Sequence, residues 1–272
     1  AKTGELLGED DAGIGPNIYH GQWSSPSYGV VNGKGQLFFG GGDGWFSAFE
    51  PKPVYDEDED LDFLRKIWWY DSNPPEYKKD KNGKAIKYPA AEGPNEINST
   101  PVFYKGRVYV AHGQDPEHGE GVGHLVCLDP SKKGDITKSG EIWSYKGIKR
   151  SISTVSIDEE NGLLFVGDFS GFIHCLDADT GKLHWVYDMK AHMWGSTLVA
   201  DGKVYVGDED GDFVVLASDT KMKVLSETYF PAPIYSTPVV ANGVLYVATQ
   251  SHLYAVYDEA RAKSATDKKK AK

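Results

Sequence analysis

Cysteine, long apolar runs and basic charge are all scarce in this sequence of 272 residues. The chain has only two cysteines, and they are not adjacent. No apolar run approaches the roughly 20 residues that a membrane-spanning helix needs, so no transmembrane segment is expected. Lys and Arg total 29 against 40 Asp and Glu, which gives a net charge of -11. This balance argues against a nucleic-acid partner, because phosphate backbones call for a basic face.

The two cysteines occupy one recurrent position. Cys127 and Cys175 both stand directly before Leu-Asp, and the same position holds Ala48 and Ala255 elsewhere in the chain. A position that takes Ala or Cys is small and buried, so we expect two core thiols. A disulfide between the same position of two neighbouring repeats is the alternative.

Five copies of one pattern run through the chain. Each copy has a Ser/Thr or Ser/Ser pair, an apolar strand and, in most copies, a turn that precedes a tryptophan; copy three runs from Ser153 to Trp185. Phe165 and Tyr205 are equivalent residues 40 positions apart, a spacing typical of β-propeller blades. The sequence therefore predicts an all-β protein, a β-propeller of four-stranded antiparallel blades with about five blades visible.

The pattern also predicts the domain organisation. Strand A of each blade follows the Ser/Thr pair, and strands B, C and D come next. A single propeller domain is expected over residues 1–258, followed by a disordered Lys-rich tail over 259–272. The predicted blades lie near 23–70, 99–145, 151–188, 194–227 and 234–258, with an N-terminal strand within 1–10.

The segment from Cys175 to Trp185 resembles the tryptophan-docking motif of the PQQ-like (pyrroloquinoline quinone) repeat propeller family, which includes BamB-type propellers and quinoprotein dehydrogenases. Copy four departs from it, with Ala217 and Leu225 in the Asp and Trp positions. The resemblance implies a periplasmic or cell-envelope protein. Such propellers usually have seven or eight blades, so we expect the chain to be part of a larger one. The alternative is a five-bladed ring in which the N-terminal strand completes copy five.

Two insertions interrupt the pattern at the end of the blades that carries the B–C and D–A loops, here called the B–C end. One is the D–A connection over 71–98, either a lid or disordered decoration. The other is the B–C loop of copy two, which is rich in His and carboxylate. Imidazole and carboxylate bind zinc, manganese or iron, so His112, Asp115, His118 and His124 are metal-ligand candidates; a glycine-rich surface loop is the alternative.

Residues just before the inner strands form a second candidate site, expected to rim a central channel. Aromatic rings there suit a flat ligand, and Arg150 suits an anion. The ligand-binding candidates are His20, Gln22, Trp23, Arg150, His192 and Trp194. Asp208 to Asp212 only loosely resembles a calcium loop and is interpreted as an Asp-rich turn. The acidic run Asp56 to Asp60, at the opposite or A–B end, predicts a solvated, mobile loop.

Two hypotheses about function follow. The first is a non-catalytic scaffold in the cell envelope that binds a protein or small-molecule partner on the loop face with the insertions. The second, implied by the resemblance, is a dehydrogenase of alcohols or sugars with PQQ and calcium as cofactors. Such enzymes usually carry an adjacent cysteine pair and a calcium set of Glu, Asn and Asp, which this sequence does not match. No cofactor is therefore certain, and a metal-dependent activity of the His-rich loop is a third alternative.

Overall fold

The computed structural model describes residues 2–18, 21–75, 78–86, 95–114 and 122–258. The chain divides into two compact units, Ala1–Val155 and Ser156–Lys272, and each is treated separately below. Apart from a short 3-10 helix at Gly15–Asn17, the regular structure of the described residues is β-strand. No described helix is long and apolar enough to cross a membrane.

In the described part of the first unit, strands A to D of copies one and two form antiparallel sheets, as predicted. The strands are β1 (Gly8–Asp10), β2 (Ser27–Val31), β3 (Lys34–Gly40), β4 (Trp45–Phe49), β5 (Val54–Asp56), β6 (Leu61–Leu64), β7 (Lys66–Asp71), β8 (Val102–Tyr104), β9 (Arg107–His112), β10 (His124–Leu128), β11 (Gly134–Asp135) and β12 (Glu141–Tyr145). Copy one has the order β11-β7-β4-β3-β2, and copy two has β12-β10-β9-β8. The short strand β11 comes from copy two and pairs in parallel with β7, so it ties the two copies together.

Copy one also carries a hairpin that the sequence did not predict. The acidic run was expected to be a mobile loop, but Asp56 ends β5 and Leu61 begins the antiparallel strand β6. Asp56 accepts a bond from Arg65 at 3.0 Å, and Tyr55 donates to Asp60 at 2.5 Å. These contacts offset part of the repulsion between the acidic residues, which was the reason to predict a mobile loop. Strand β1 pairs in parallel with β6, and the alternative of a five-bladed ring stays a prediction.

In the second unit the described sheets follow the same antiparallel order. The strands are β13 (Ser156–Asp158), β14 (Leu163–Gly167), β15 (Phe172–Asp177), β16 (Leu183–Asp188), β17 (Leu198–Ala200), β18 (Lys203–Gly207), β19 (Asp212–Ala217), β20 (Val224–Tyr229), β21 (Val239–Ala241), β22 (Val244–Ala248) and β23 (Leu253–Tyr257). Copies three and four are four-stranded, and copy five contributes three strands. The turns Asp201-Gly202 and Asn242-Gly243 have positive φ at both residues, as tight A–B hairpins require.

The tryptophan of strand D lies opposite the small residue of strand C in three copies. The register pairs are Ala48 with Trp68, Cys127 with Trp143, and Cys175 with Trp185. The small residue leaves room for the indole ring. Copy four has Val215 at this position and Ser226 opposite it, so the prediction that Leu225 takes the Trp position is wrong. Both cysteines are buried and have free thiols, so the core-thiol prediction is confirmed and the disulfide alternative is wrong. Burial, with a smaller contribution from Asp219, raises the pKa of Cys175 to about 12.

The indole N–H groups connect neighbouring copies within each unit. Trp185 donates through Nε1 to the carbonyl of Asp219 in copy four at 2.8 Å. In copy one, Trp68 donates to Oε1 of Gln36 at 3.1 Å, and Gln36 Nε2 donates to the Pro130 carbonyl of copy two at 3.1 Å. The tryptophans of copies one and three therefore dock on the next copy through hydrogen bonds, directly in copy three and through Gln36 in copy one.

The Ser/Thr pairs form a second set of links, near strand A. The bonds within the first unit are Ser24 Oγ to the Ser99 carbonyl (2.8 Å) and Thr100 N to Thr154 Oγ1 (3.0 Å). Those within the second unit are Ser156 Oγ with Thr197 Oγ1 (2.6 Å) and Ser196 N to Thr237 Oγ1 (2.9 Å). Each bond joins one copy to the next, which explains why hydroxyl residues recur there.

Glycine at the end of strand B allows an isoleucine from the following copy to pack closely. A Cβ on Gly40 would overlap the side chain of Ile97, and a Cβ on Gly207 would overlap that of Ile234. Both isoleucines are fully buried. This contact fixes the spacing between the B–C end of one copy and the start of the next.

We expect Trp185→Ala to lower the free energy of unfolding by about 3–5 kcal/mol, because it removes a buried ring and leaves a cavity. Trp185→Phe keeps most of the packing but removes the bond to Asp219, and should cost about 1–2 kcal/mol. Leu225→Ala, at an exposed position of strand D in copy four, is the control and should change stability by less than about 0.5 kcal/mol. Urea unfolding measures all three. A Trp185→Phe variant as stable as the wild type would show that the indole bond contributes nothing.

Candidate functional site

The two histidines that bracket the insertion of copy two lie in strands rather than in a loop. His112 ends β9, His124 begins β10, and the two residues pair directly in register. Their rings meet edge to face with centroids 5.4 Å apart, and His112 is fully buried. Asp115 and His118 lie outside the described residues. Among the described residues, no group of three or more His, Cys, Asp or Glu is placed to bind a metal ion, so the four-residue metal site stays a prediction.

His112 belongs to a buried polar network that crosses from copy one to copy two. Asn95 Nδ2 lies 2.5 Å from His112 Nδ1, and the Asn95 N–H donates to Asn73 Oδ1 at 2.7 Å. Asn73 in turn donates through Nδ2 to the carbonyl of Asp43 at 3.1 Å. The D–A insertion of copy one supplies both asparagines, which sequence reasoning missed because no other copy has an equivalent segment.

The network holds His112 in its neutral form. Burial, with a smaller contribution from His124, lowers the pKa of His112 to about 3. Because Asn95 donates to Nδ1, the ring proton lies on Nε2. Nε2 has no hydrogen-bond partner among the residues that the structure describes. In this tautomer Nδ1 accepts from Asn95, so His112 connects copy two to the D–A insertion of copy one.

The candidates of the first unit take different positions. Arg150 is buried, and a Cβ on Gly113 would overlap its Cα and Cβ, so Arg150 packs closely against the residue that follows β9. Gln22 accepts a bond from the Gly42 N–H at 2.7 Å and so fixes the B–C turn of copy one. Trp23 is 63% exposed, and His20 lies outside the described residues. Gln22 and Trp23 are both exposed, and Trp23 is the aromatic among the described candidates of this unit.

The structure brings the two candidates of the second unit together on one carboxylate. His192 Nδ1 lies 2.7 Å from Glu209 Oε1, and Trp194 Nε1 donates to Glu209 Oε2 at 2.9 Å. Phe169 stacks on the His192 ring at 4.6 Å and meets Trp194 edge to face at 4.9 Å. Tyr235 continues the series, 5.9 Å from Trp194. These residues, Phe169, His192, Trp194, Glu209 and Tyr235, are called the aromatic–carboxylate cluster below.

Glu209 stays ionised within this cluster. Burial alone would raise its pKa, but the bonds from Trp194 and His192 outweigh burial and lower the pKa below its usual value. Trp194 is 40% exposed and Tyr235 is 46% exposed, so the cluster presents fixed rings to solvent. Sequence reasoning missed Phe169 and Glu209. Their common position, directly after the Gly-Asp that ends strand B in copies three and four, is the signal that could have found them.

The aspartates of these Gly-Asp turns differ in their partners. Asp168 caps the turn through the Phe172 N–H at 3.1 Å, and His174 Nε2 lies 3.0 Å from its other oxygen. Asp208 caps its turn in the same way, through the Asp212 N–H at 2.9 Å, which confirms the Asp-rich turn. Val214 stands where copy three has His174, and Oδ2 of Asp208 is buried without a partner among the described residues. Burial chiefly, together with the charges of Asp212 and Asp210, raises the pKa of Asp208 to about 6.

Comparisons with known proteins agree with these features. Residues 123–224 match the family model described as outer membrane protein assembly factor BamB. The chain is 27% identical over 142 residues to the outer membrane protein assembly factor BamB of Nitrosomonas eutropha, covering 47% of this chain and 34% of the relative. It is 25% identical over 172 residues to the 1-butanol dehydrogenase (cytochrome c) of Thauera butanivorans, covering 56% of this chain and 24% of that enzyme.

Among solved structures, BamB from Moraxella catarrhalis superimposes with a TM-score of 0.61 at 15% identity, covering 88% of this chain and 60% of that one. This likeness, with the four-stranded antiparallel sheets, confirms the predicted all-β propeller fold. The resemblance to PQQ-like repeat propellers of the BamB type is confirmed as well. The matched part spans about a third of the length of the BamB relatives, 34% for Nitrosomonas eutropha and 36% for Moranella endobia.

The unpaired carboxyl of Asp208 predicts a pH dependence. Its pKa in the folded state is raised, to about 6, so its contribution to stability is fully present below about pH 4 and is lost as the pH rises through 6. Asp208→Asn keeps the turn-capping oxygen but cannot ionise. Its stability relative to the wild type should therefore increase between pH 4 and pH 7, by up to about 3 kcal/mol.

Urea unfolding of both proteins at several pH values measures this difference. Glu160→Gln, which neutralises an exposed carboxylate in the A–B turn of copy three, is the control and should give a small, constant difference. A flat profile for Asp208→Asn would mean that this carboxyl ionises without an energetic penalty in the folded protein.

Proposed function

We propose that this chain is a non-catalytic binding module of the cell envelope, and that the aromatic–carboxylate cluster is its contact surface for a protein partner. The observation that carries the proposal is the exposure of Trp194 and Tyr235 while Trp194 is held by Glu209. Trp and Tyr are the residues most enriched at the energetic centres of protein interfaces. An exposed aromatic held by hydrogen bonds loses little conformational entropy on binding, so more of its contact energy appears as affinity.

The bonds within the cluster favour recognition over catalysis. Both carboxylate oxygens of Glu209 are already engaged, one with His192 and one with Trp194. A general base needs an oxygen within reach of a substrate proton, and Glu209 offers neither oxygen freely. Asp210 and Asp212 are exposed nearby in the same turn. The surface therefore suits a partner segment that presents apolar side chains beside Lys or Arg.

The cellular setting of the proposal comes from the relatives. The BamB proteins that match are named outer membrane protein assembly factors. We extend this to the chain as a location in the periplasm or cell envelope and as a role in binding other proteins there. Trp23 of the first unit, exposed directly before strand A of copy one, offers a further aromatic contact of the same kind.

Site-specific photo-crosslinking tests this assignment. A photoreactive amino acid at position 194 or 235 should give a discrete protein adduct in envelope extracts of the source organism. The same label at position 222 should not, because Met222 is 47% exposed but lies in the C–D turn at the A–B end of copy four. Trp194→Ala should then weaken binding of the identified partner by about 2 kcal/mol or more, roughly thirtyfold.

Adducts of equal yield at positions 194, 235 and 222 would contradict a localised surface. A partner whose affinity is unchanged by Trp194→Ala would also contradict it, provided the variant keeps the wild-type melting temperature. Met222→Ala serves as the matched substitution, since it removes a similarly exposed apolar side chain from the other end of the sheet.

A quinoprotein dehydrogenase is the second candidate, and the similarity to the 1-butanol dehydrogenase of Thauera butanivorans favours it. The residues of this chain that the structure describes fit PQQ and calcium poorly. The sequence has no adjacent cysteines, and the described residues contain no cluster of three or more acidic, His or Cys side chains placed for a metal ion. No catalytic step is therefore derived for this candidate.

Titration with PQQ and calcium separates the two functions. We expect no saturable change in cofactor absorbance and no rise in melting temperature. Saturable binding would instead stabilise the fold by about 2.7 kcal/mol at a ligand concentration one hundred times Kd. That result, followed by turnover of an alcohol or sugar, would replace the scaffold proposal with the dehydrogenase.

A further inference from the structure

A groove of about 840 Å³ opens in the first unit at the A–B end, away from the B–C insertions. Its walls are the β2–β3 turn, the segment after β4, the start of β7 and the C–D loop of copy two. Both copies contribute, so the groove exists only where their sheets meet. Its charged and hydroxyl residues are Lys34, Glu50, Lys52, Lys66, Ser131 and Lys133.

Positive charge dominates this groove in a chain with a net charge of -11. Three lysines, Lys34, Lys52 and Lys133, face one carboxylate, Glu50, whereas the ammonium of Lys66 lies over Trp69, outside the lining. None of the three forms an ion pair within the described part of the chain, whereas Lys78 and Lys132 of the same unit pair with Asp71 and Asp129. Like charges held close together repel one another, so a multivalent anion in the groove would relieve that repulsion and gain several attractions at once.

The frame that carries these lysines is rigid. The floor includes Gln36, whose side chain is fixed by Trp68 on one side and by the Pro130 carbonyl of copy two on the other. Asn32 and Gly33 have φ of 49° and 77°, which sets the tight turn that presents Lys34. Lys66 lies with its Nζ 5.0 Å from the centroid of the Trp69 ring. The lysine stems are flexible, but their attachment points are not.

We propose that this lysine groove binds a ligand with two or more linked phosphate groups. Lysine is a point-charge phosphate ligand that tolerates varied geometry, which suits flexible chains of phosphates better than a single planar carboxylate. The volume exceeds what one phosphate fills, and the three ammonium groups come from separate segments. A polyphosphate chain in solution and a phosphorylated lipid headgroup share this chemistry.

Calorimetric titration of the full chain with inorganic tripolyphosphate at low ionic strength tests the proposal. We expect saturable binding that weakens steeply as salt is added, since screening reduces each ammonium–phosphate attraction. The double variant Lys34→Gln/Lys133→Gln should lose about tenfold or more in affinity, because it removes two of the three positive charges, one from each copy. Both side chains are exposed, so the fold should persist and circular dichroism should be unchanged.

The matched control is Lys182→Gln/Lys221→Gln. These lysines are exposed in the C–D turns of copies three and four, and the control changes the net charge by the same amount. It should retain wild-type affinity within about twofold, because charges outside the groove act only through screened long-range attraction. Equal losses of affinity in the two double variants would overturn the proposal, because they would show that binding depends only on the net charge of the chain. The absence of tripolyphosphate binding to the wild type would also overturn it.

Vesicles distinguish the two sources of phosphate. Phosphatidylcholine vesicles with a minor fraction of cardiolipin, whose headgroup carries two linked phosphates, are compared with pure phosphatidylcholine vesicles by co-sedimentation. Binding to the acidic vesicles that is lost in Lys34→Gln/Lys133→Gln assigns the groove to a lipid headgroup. Tripolyphosphate binding without vesicle binding assigns it to a soluble polyphosphate.

Discussion

The contact between the strand D tryptophan and the small residue opposite it in strand C organises the copies that have it. The indole ring fills the space that Ala48, Cys127 or Cys175 leaves open, and in copies one and three its N–H is directed toward the next copy. In copy three the acceptor is the Asp219 carbonyl, and in copy one the bond passes through Gln36 to Pro130. One side chain thereby stabilises its own sheet and sets the position of its neighbour, which is what a repeat protein needs from each interface.

Each proposed binding surface is held in place by residues of its own unit, and the residues that hold it differ. The aromatic–carboxylate cluster at the B–C end gains its rigidity from Glu209, which holds two rings at once. The lysine groove at the A–B end is shaped by the seam between copies one and two, where Gln36 joins Trp68 to Pro130. Regular strands supply the geometry, and the chemistry lies in turns that differ between copies.

The sequence predicted the strands well because its signals repeat. The Ser/Thr pairs, the Ala or Cys position and the docking tryptophan recur in several copies, so each copy supports the interpretation of the others. The hairpin of β5 and β6 was missed because its acidic turn suggests solvation, whereas its stability comes from Arg65 and from pairing with β1, neither of which is visible as a local pattern.

Site residues were predictable only where they followed the repeat. His192 and Trp194 were found because they precede a strand A, but their shared partner Glu209 was interpreted as part of an acidic turn. Asn73 and Asn95 belong to an insertion present in one copy, so no second example could point to them. Whether a carboxylate bonds to its own turn or to a distant ring depends on tertiary contacts that a single sequence does not display.

The close packing of Gly40 against Ile97, and of Gly207 against Ile234, has a consequence for how this chain can evolve. Each glycine matches the isoleucine of its successor, so a copy is complementary to the copy that follows it. Copy two ends its strand B with Ala111 and His112 instead, and cannot replace copy one without placing a methyl group where Ile97 lies. The copies are thus not interchangeable modules, and duplication or shuffling would succeed only for blocks that keep each glycine beside its own isoleucine.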